Sequence, residues 1–263
     1  KGNIPRLDVL ASWEIPTSDP NALASVLIVA DRSVSPAAVY QLPLVSRSRS
    51  HDSQIDSAHR IPLDGDRLVI DGPHDPAYAR ALLTQVTGSS SDSATPDVLV
   101  GEQSNTSIIY RRDAEQPLIL KVFRRLHPGA NPDIELQSAL SGVGSPFVAP
   151  FVGSVTGQWR QDDGQTAQSP LAFGQQFFPD VEDAWRVSLH AARAHEDFAE
   201  RARALGVATA GIHVALARVF PTGESTAEDR SAARAAWGRR LDIATSEVPP
   251  IGALREQIEA VYA

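Results

Sequence analysis

The stretch that decides the fold is residues 97–140, DVLVGEQSNTSIIYRRDAEQPLILKVFRRLHPGANPDIELQSAL. Its first apolar run, Asp97–Val100, predicts a strand. The next residues, 101–106 (GEQSNT), are small and polar, which is typical of a tight turn whose backbone amides stay free to bind a ligand. Two more strands are predicted at Ser107–Tyr110 and Leu118–Phe123, because the polar residues between them suit a hairpin connection.

One basic residue in this stretch stands out. The chain has 24 lysines and arginines, and of these only Lys1 and Lys121 are lysines. Strand alternation puts Lys121 on the same face as Ile119 and Phe123. An ammonium group among apolar neighbours costs free energy unless an anion meets it, which makes Lys121 a candidate anion-binding residue. The alternative is a surface lysine on an edge strand that extends its charged end into water.

A helix is predicted to follow these strands. Asn131 has the residue type of an N-cap, Pro132 suits the first helical position, and Asp133 is an acid just behind it. Glu135, in the first turn, could supply a counter-charge for Lys121. Its alternative role is simply to complement the positive end of the helix dipole.

Composition limits the classes of function. The chain has 263 residues, 42% of them apolar and 21% charged, with a net charge of −8 and a pI near 5.3, so we expect a soluble globular protein rather than one that binds nucleic acid or an anionic membrane. The absence of cysteine excludes disulfides and thiol nucleophiles. We also expect no membrane-spanning run, no signal peptide and a cytoplasmic location.

The N-terminal part of the chain predicts strands followed by one helix. Strands are predicted at Leu23–Ala30, Ala37–Val45, Arg60–Leu63 and Arg67–Ile70. The helix begins at Asp75-Pro76. Two serine-rich patches, Ser46–Ser57 and Gly88–Pro96, have the composition of disordered linkers.

Beyond residue 140 the pattern changes from strands to helices. Strands are predicted at Phe147–Val155 and Leu171–Phe178, joined by a polar hairpin whose Asp162 and Asp163 we interpret as solvated. From Asp180 onward the apolar residues recur at helical spacing.

The segments GEQSNTS and LKVFRRLHPGANPDIEL resemble the actinobacterial maltokinases and related sugar kinases of the aminoglycoside-phosphotransferase type. The resemblance extends to almost the whole chain, through YQLPLVSR, LVIDGPHDPAYARALL, FFPDVEDAW and GVATAGIHVALA. It implies an α+β, protein-kinase-like fold in three parts. These are an antiparallel-sheet cap (1–95), an ATP-binding sheet with one helix, like a kinase N-lobe (96–179), and the first helices of a C-lobe (180–263).

The resemblance also implies ATP and Mg²⁺ as cofactors. Phosphates would be held by the loop residues Ser104, Asn105, Thr106 and Ser107 and by Lys121, with Glu135 fixing the lysine in place. The adenine edge would meet main-chain groups of Gln176 and Phe178, where the chain crosses between lobes. No metal ligand is assigned in this chain.

The catalytic motif of the family is not among these residues. Relatives carry a His-Gly-Asp segment that holds the catalytic base, and this triplet does not occur here. The segment Ile70-Asp71-Gly72 precedes the phosphate loop, in the wrong order for a metal-binding aspartate. We therefore expect the catalytic aspartate downstream of Ala263, no catalytic residue in this chain, and no activity from the chain alone.

Two functions follow as hypotheses. The first is a transferase, a kinase of carbohydrate metabolism that moves the γ-phosphoryl group of ATP to a sugar hydroxyl, with maltose, giving maltose 1-phosphate, ahead of glucosamine or another aminosugar as acceptor. The second is a non-catalytic nucleotide-binding fragment or pseudokinase. A trehalose synthase is a candidate protein partner, and no nucleic-acid or membrane partner is expected.

Overall fold

The computed structural model describes residues 6–48, 57–61, 67–99, 105–112 and 115–262. The chain divides into two compact units, Lys1–Leu216 and Ala217–Ala263. Both sheets lie in the first unit, and the α+β fold expected from the sequence is confirmed. The three-part division at residues 95 and 179 stays a prediction.

The first sheet is called here the cap. It is antiparallel, in the order β1-β2-β3-β5-β4, with strands β1 (Leu7–Ile15), β2 (Leu23–Asp31), β3 (Ala38–Ser48), β4 (Arg60–Ile61) and β5 (Arg67–Asp71). The sequence did not predict β1. Leu7 and Val9 on this edge strand are more than half exposed, so it lacks the strongly apolar signature of β2.

One helix, α1 (Pro76–Thr87), joins the cap to the second sheet. The side chain of Asp75 caps its start by accepting from the Ala77 N–H at 2.9 Å, and the chain leaves it through Gly88 at φ 72°. Its apolar residues belong to one core with both sheets. The two predicted parts that meet at residue 95 therefore share a single core.

The second sheet carries the candidate site. Its order is β10-β11-β8-β7-β6, with strands β6 (Thr95–Val98), β7 (Asn105–Arg111), β8 (Leu118–Phe123), β10 (Phe151–Arg160) and β11 (Thr166–Gln176). The short strand β9 (Arg125–Leu126) pairs instead with β3 of the cap. The chain therefore passes from the second sheet into the first directly after Arg124.

Both predicted linkers need correction. Ser91 and Ala94 are buried, and β6 already begins at Thr95, so Gly88–Pro96 is packed structure. Ser46–Ser48 form the end of β3, and residues 49–56 of the other patch lie outside the described residues.

The interpretation of Asp162 as merely solvated was also incomplete. Its carboxylate pairs with Arg32 of the cap, whose second partner is Asp8 at 3.0 Å. Hydrogen bonds from Arg32 lower the pKa of Asp162 below its ordinary value.

The remaining helices are α2 (Pro132–Gly142), α3 (Ala184–Ala194), α4 (Ala199–Val219), α5 (Ala227–Glu247) and α6 (Arg255–Val261). Contrary to the expectation of no span-length apolar run, α4 is long and apolar enough to cross a membrane by length and composition alone. A single helix of this kind is weak evidence for a membrane span. Within the second unit, Thr226 and Asp229 form a reciprocal capping box on α5.

Candidate nucleotide-binding site

Lys121 lies in the middle of the second sheet. It occupies β8, opposite Ser107 of β7 on one side and Phe173 of β11 on the other. Its Nζ is 5.5 Å from the centre of the Phe173 ring, and that ring stacks on Phe123 with 5.9 Å between centroids. The four side chains therefore share one face, called here the Lys121 face.

The ammonium group of Lys121 has no anionic partner within the described residues. No carboxylate oxygen in that part of the chain lies within 4.0 Å of it, and it makes no hydrogen bond there. The residue is nevertheless half-buried. A contact with one ring offsets part of the desolvation cost of a cation but does not neutralise it. The geometry therefore suits an anion at this position.

Glu135 is not that anion in this structure. It is exposed in the first turn of α2, and no ion pair joins it to Lys121. The helix start is held by Asn131, whose side chain accepts from the Asp133 N–H at 2.9 Å. The role predicted for Glu135 in holding the lysine stays a prediction.

The three described phosphate-loop residues, Asn105, Thr106 and Ser107, do not all lie on one face of the sheet. Ser104 lies outside the described residues, and β7 begins at Asn105, two residues earlier than the sequence predicted. Strand alternation therefore puts Asn105 and Ser107 on the Lys121 face and Thr106 on the opposite face. Ser107 is buried beside Lys121.

Thr106 faces the cap. Its Oγ1 accepts a hydrogen bond from Arg124 Nε at 2.9 Å, and the same guanidinium donates two bonds to Asp71 of β5 at 2.8 and 2.6 Å. Asp71 is the aspartate of the Ile-Asp-Gly segment. In the structure it anchors Arg124. The Thr106 hydroxyl is thus committed to this network rather than presented beside Lys121.

Gln41 of β3 is a second link that sequence reasoning missed. Its side chain is almost fully buried and donates to the carbonyls of Phe123 at 2.8 Å and Leu171 at 3.0 Å. Its backbone N–H donates to Arg124 O at 2.8 Å. The cap therefore fixes the end of β8, two residues beyond Lys121. A glutamine within the apolar pattern of β3 was the available signal.

Two backbone N–H groups of the predicted adenine-binding segment already donate hydrogen bonds to other parts of the chain. The backbone N–H of Gln176 donates to Pro150 O at 2.9 Å, and that of Phe177 donates to Pro117 O at 2.8 Å. Within the described residues the Phe178 N–H has no acceptor, and its side chain is 45% exposed. Phe178 therefore offers a main-chain donor at the end of β11.

No protein-family model matches the chain. A solved structure of a glucosamine kinase, crystal form B, superposes on 98% of this chain with a TM-score of 0.52 and 19% sequence identity. The chain shares its fold with the matching part of that glucosamine kinase. The chain spans 58% of the length of that glucosamine kinase.

The predicted adenine and phosphate positions follow one another along β8. Leu118 at its start pairs with Gln176, next to the Phe178 donor. Lys121 follows three residues later, about 10 Å along the strand, and Phe123 at the far end pairs with Asn105. A base at Phe178 and a phosphate at Lys121 are therefore compatible with one extended nucleotide.

No group of three or more histidines, aspartates or glutamates that could hold a metal occurs in the part of the chain that the structure describes. We assign no protein ligand and no reaction step to Mg²⁺.

Proposed function

We propose that this chain is the nucleotide-binding part of an ATP-dependent sugar kinase. The observation that carries the proposal is the half-buried Lys121 ammonium, which has no anion beside it among the described residues and sits in a sheet of sugar-kinase-like fold. A nucleotide phosphate would supply the missing negative charge.

Each residue of the site has a defined part in this function. Lys121 neutralises phosphate charge as a point cation, and the ring of Phe173 limits where its ammonium group can lie. The Phe178 N–H donates to the adenine edge. Phosphoryl transfer depends chiefly on such positioning and charge stabilisation, so a rigid Lys121 strand is what the reaction requires of this part of the protein.

The acceptor is a sugar hydroxyl. Similarity of the segments GEQSNTS and LKVFRRLHPGANPDIEL to maltokinases supports maltose, whereas the glucosamine kinase with the same fold supports an aminosugar equally well. Calorimetric titration of each sugar into the chain in the presence of Mg-ATP, which needs no catalytic residue, separates these two acceptors.

A non-catalytic nucleotide-binding module is the second candidate. It requires only nucleotide-binding groups such as Lys121 and the Phe178 N–H, and no catalytic base. ATP binding without binding of either sugar would support this candidate for the chain itself.

Calorimetric titration with Mg-ATP tests nucleotide binding, which both candidate functions require. We expect the wild-type chain to bind and Lys121→Ala to bind at least roughly tenfold more weakly, because a charge-assisted contact with phosphate is lost. Arg160→Ala, at the hairpin end of β10, is the matched control and should bind like the wild type. A folded wild-type chain that binds no ATP, or equal binding by Lys121→Ala, would contradict the proposal.

A further inference from the structure

A second cation lies beyond Lys121 on the same side of the sheet. A cavity of about 520 Å³, within the size range of small-molecule sites, opens beside Phe123 and Asn105, the pair at the far end of β8. Its other lining residues include Arg125, His127, Asp133 and Ser169. Because Phe123 and Asn105 belong to the Lys121 face, this cavity continues the proposed nucleotide site away from the adenine end.

Arg125 is held in position by its backbone but not by its side chain. Its residue pairs with Tyr40 of the cap in the β3–β9 ladder, and the next residue, Leu126, is buried. Within the described residues its guanidinium has no acceptor, in contrast to Arg124, which bonds Asp71 and Thr106. The five donors of Arg125 are therefore available to a ligand in the cavity.

Binding of an anion in this cavity would depend on Arg125, because of the other charges on the lining. Arg125 is a permanent cation, Asp133 is an acid, and His127 is charged only when protonated. Without Arg125, the one permanent charge among the described lining residues would be the Asp133 carboxylate, which repels phosphate. Arg125 also lies four residues beyond Lys121, about 13 Å along the chain, in the direction that leads away from Phe178.

We propose that Arg125 binds the terminal phosphate of the nucleotide, while Lys121 binds the phosphates nearer the sugar of the nucleoside. This assignment rests on the proposed function and extends it to the recognition of a triphosphate over a diphosphate. The planar guanidinium can donate two parallel hydrogen bonds to one phosphate, which gives it more discrimination than a lysine at the same place.

The test compares Mg-ATP with Mg-ADP in calorimetric titrations of the wild-type chain, Arg125→Gln and Arg125→Lys. We expect the wild type to prefer ATP, Arg125→Gln to lose roughly tenfold in ATP affinity while its ADP affinity stays within about twofold, and Arg125→Lys to fall between them. Arg160→Gln removes an exposed arginine of the same sheet outside this cavity and should keep the preference for ATP.

The outcomes separate this proposal from the proposed function. Wild-type binding of ATP with the preference unchanged in Arg125→Gln overturns the role of Arg125 and leaves nucleotide binding standing. An equal loss for ATP and ADP also overturns it, because a general charge effect would then explain the result. A wild-type chain that binds neither nucleotide overturns both proposals.

Discussion

Arg124 and Asp71 form a two-bond ion pair that joins the two sheets. The bonds measure 2.8 and 2.6 Å, and both side chains are largely buried, at 25% and 30% exposure. Arg124 follows β8 directly, and its third bond goes to Thr106 at the start of β7. The cap is thereby tied to the two strands that carry Asn105, Ser107 and Lys121.

Asp71→Asn should loosen this connection. The loss of a partly buried charge partner leaves Arg124 without its anion, and we expect a decrease of about 2–3 kcal/mol in the free energy of unfolding together with weaker ATP binding. Denaturant unfolding and calorimetry measure the two effects. Asp97→Asn is the control, since its pair with Arg111 is 61% exposed on both sides and should contribute less than about 1 kcal/mol. Equal stability of the two variants would contradict the assigned role of Asp71.

Two buried tyrosines give a matched test of hydrogen bonding. Tyr110 Oη donates to Ala79 O at 2.8 Å, whereas Tyr78 Oη is buried with no partner among the described residues. We expect Tyr110→Phe to lower the free energy of unfolding by about 1–2 kcal/mol and Tyr78→Phe to leave it unchanged or raise it. Denaturant titration of both variants checks which of them has the lower free energy of unfolding. A larger loss in Tyr78→Phe would mean that its hydroxyl has a bonding partner in solution.

The same tyrosines predict a loss of stability at alkaline pH. Burial raises the pKa of both Tyr78 and Tyr110 above the ordinary value of a phenol. The unfolded chain therefore releases these protons at a lower pH than the folded chain, so the stabilising contribution is complete below about pH 10 and declines as the pH rises further. Absorbance near the tyrosinate band should show fewer than four ionised tyrosines until the chain unfolds. Simultaneous titration of all four in a folded chain would contradict this prediction.

The contact between α1 and β10 leaves no room for a side chain at Gly153. A Cβ there would lie 2.2 Å from the Val86 carbonyl oxygen, so Gly153→Ala must displace the helix. We expect a loss of about 2–3 kcal/mol in the free energy of unfolding, as in other overpacked sites. Gly142→Ala, at the end of α2 with no atom within 4 Å of its Cβ, should be close to neutral. Thermal melting of the two variants measures the difference.

Local patterns in the sequence predicted the parts of the site that depend on neighbouring residues. Alternation along LILKVF placed Lys121 and Phe123 on one face, and Asn131-Pro132-Asp133 located the start of α2. Thr106 was predicted to be a phosphate-loop residue, but it lies within β7, which begins two residues earlier than predicted, and its hydroxyl bonds Arg124. When a strand begins earlier than predicted, residues expected in the preceding loop belong to the strand instead. The alternation of side chains along the strand then decides which face of the sheet each of them occupies.

Contacts between distant residues could not be predicted from these patterns. Arg124 and Asp71 are 53 residues apart, and Gln41 and Phe123 are 82 apart. Only the packing of the cap against the second sheet brings them together. The edge strand β1 was missed for a related reason, since its exposed residues carry little of the apolar signal that marks buried strands.

The most direct test of the nucleotide site is backbone hydrogen–deuterium exchange with and without saturating Mg-ATP. We predict slower exchange in peptides that cover residues 105–107, 118–123 and 176–178, including the Phe178 N–H, and little change in residues 217–262. In a second comparison, at an ATP concentration near the wild-type Kd, Lys121→Ala should show little of the protection that the wild type keeps. Protection confined to other parts of the chain, or none in a folded protein, would contradict nucleotide binding on the Lys121 face.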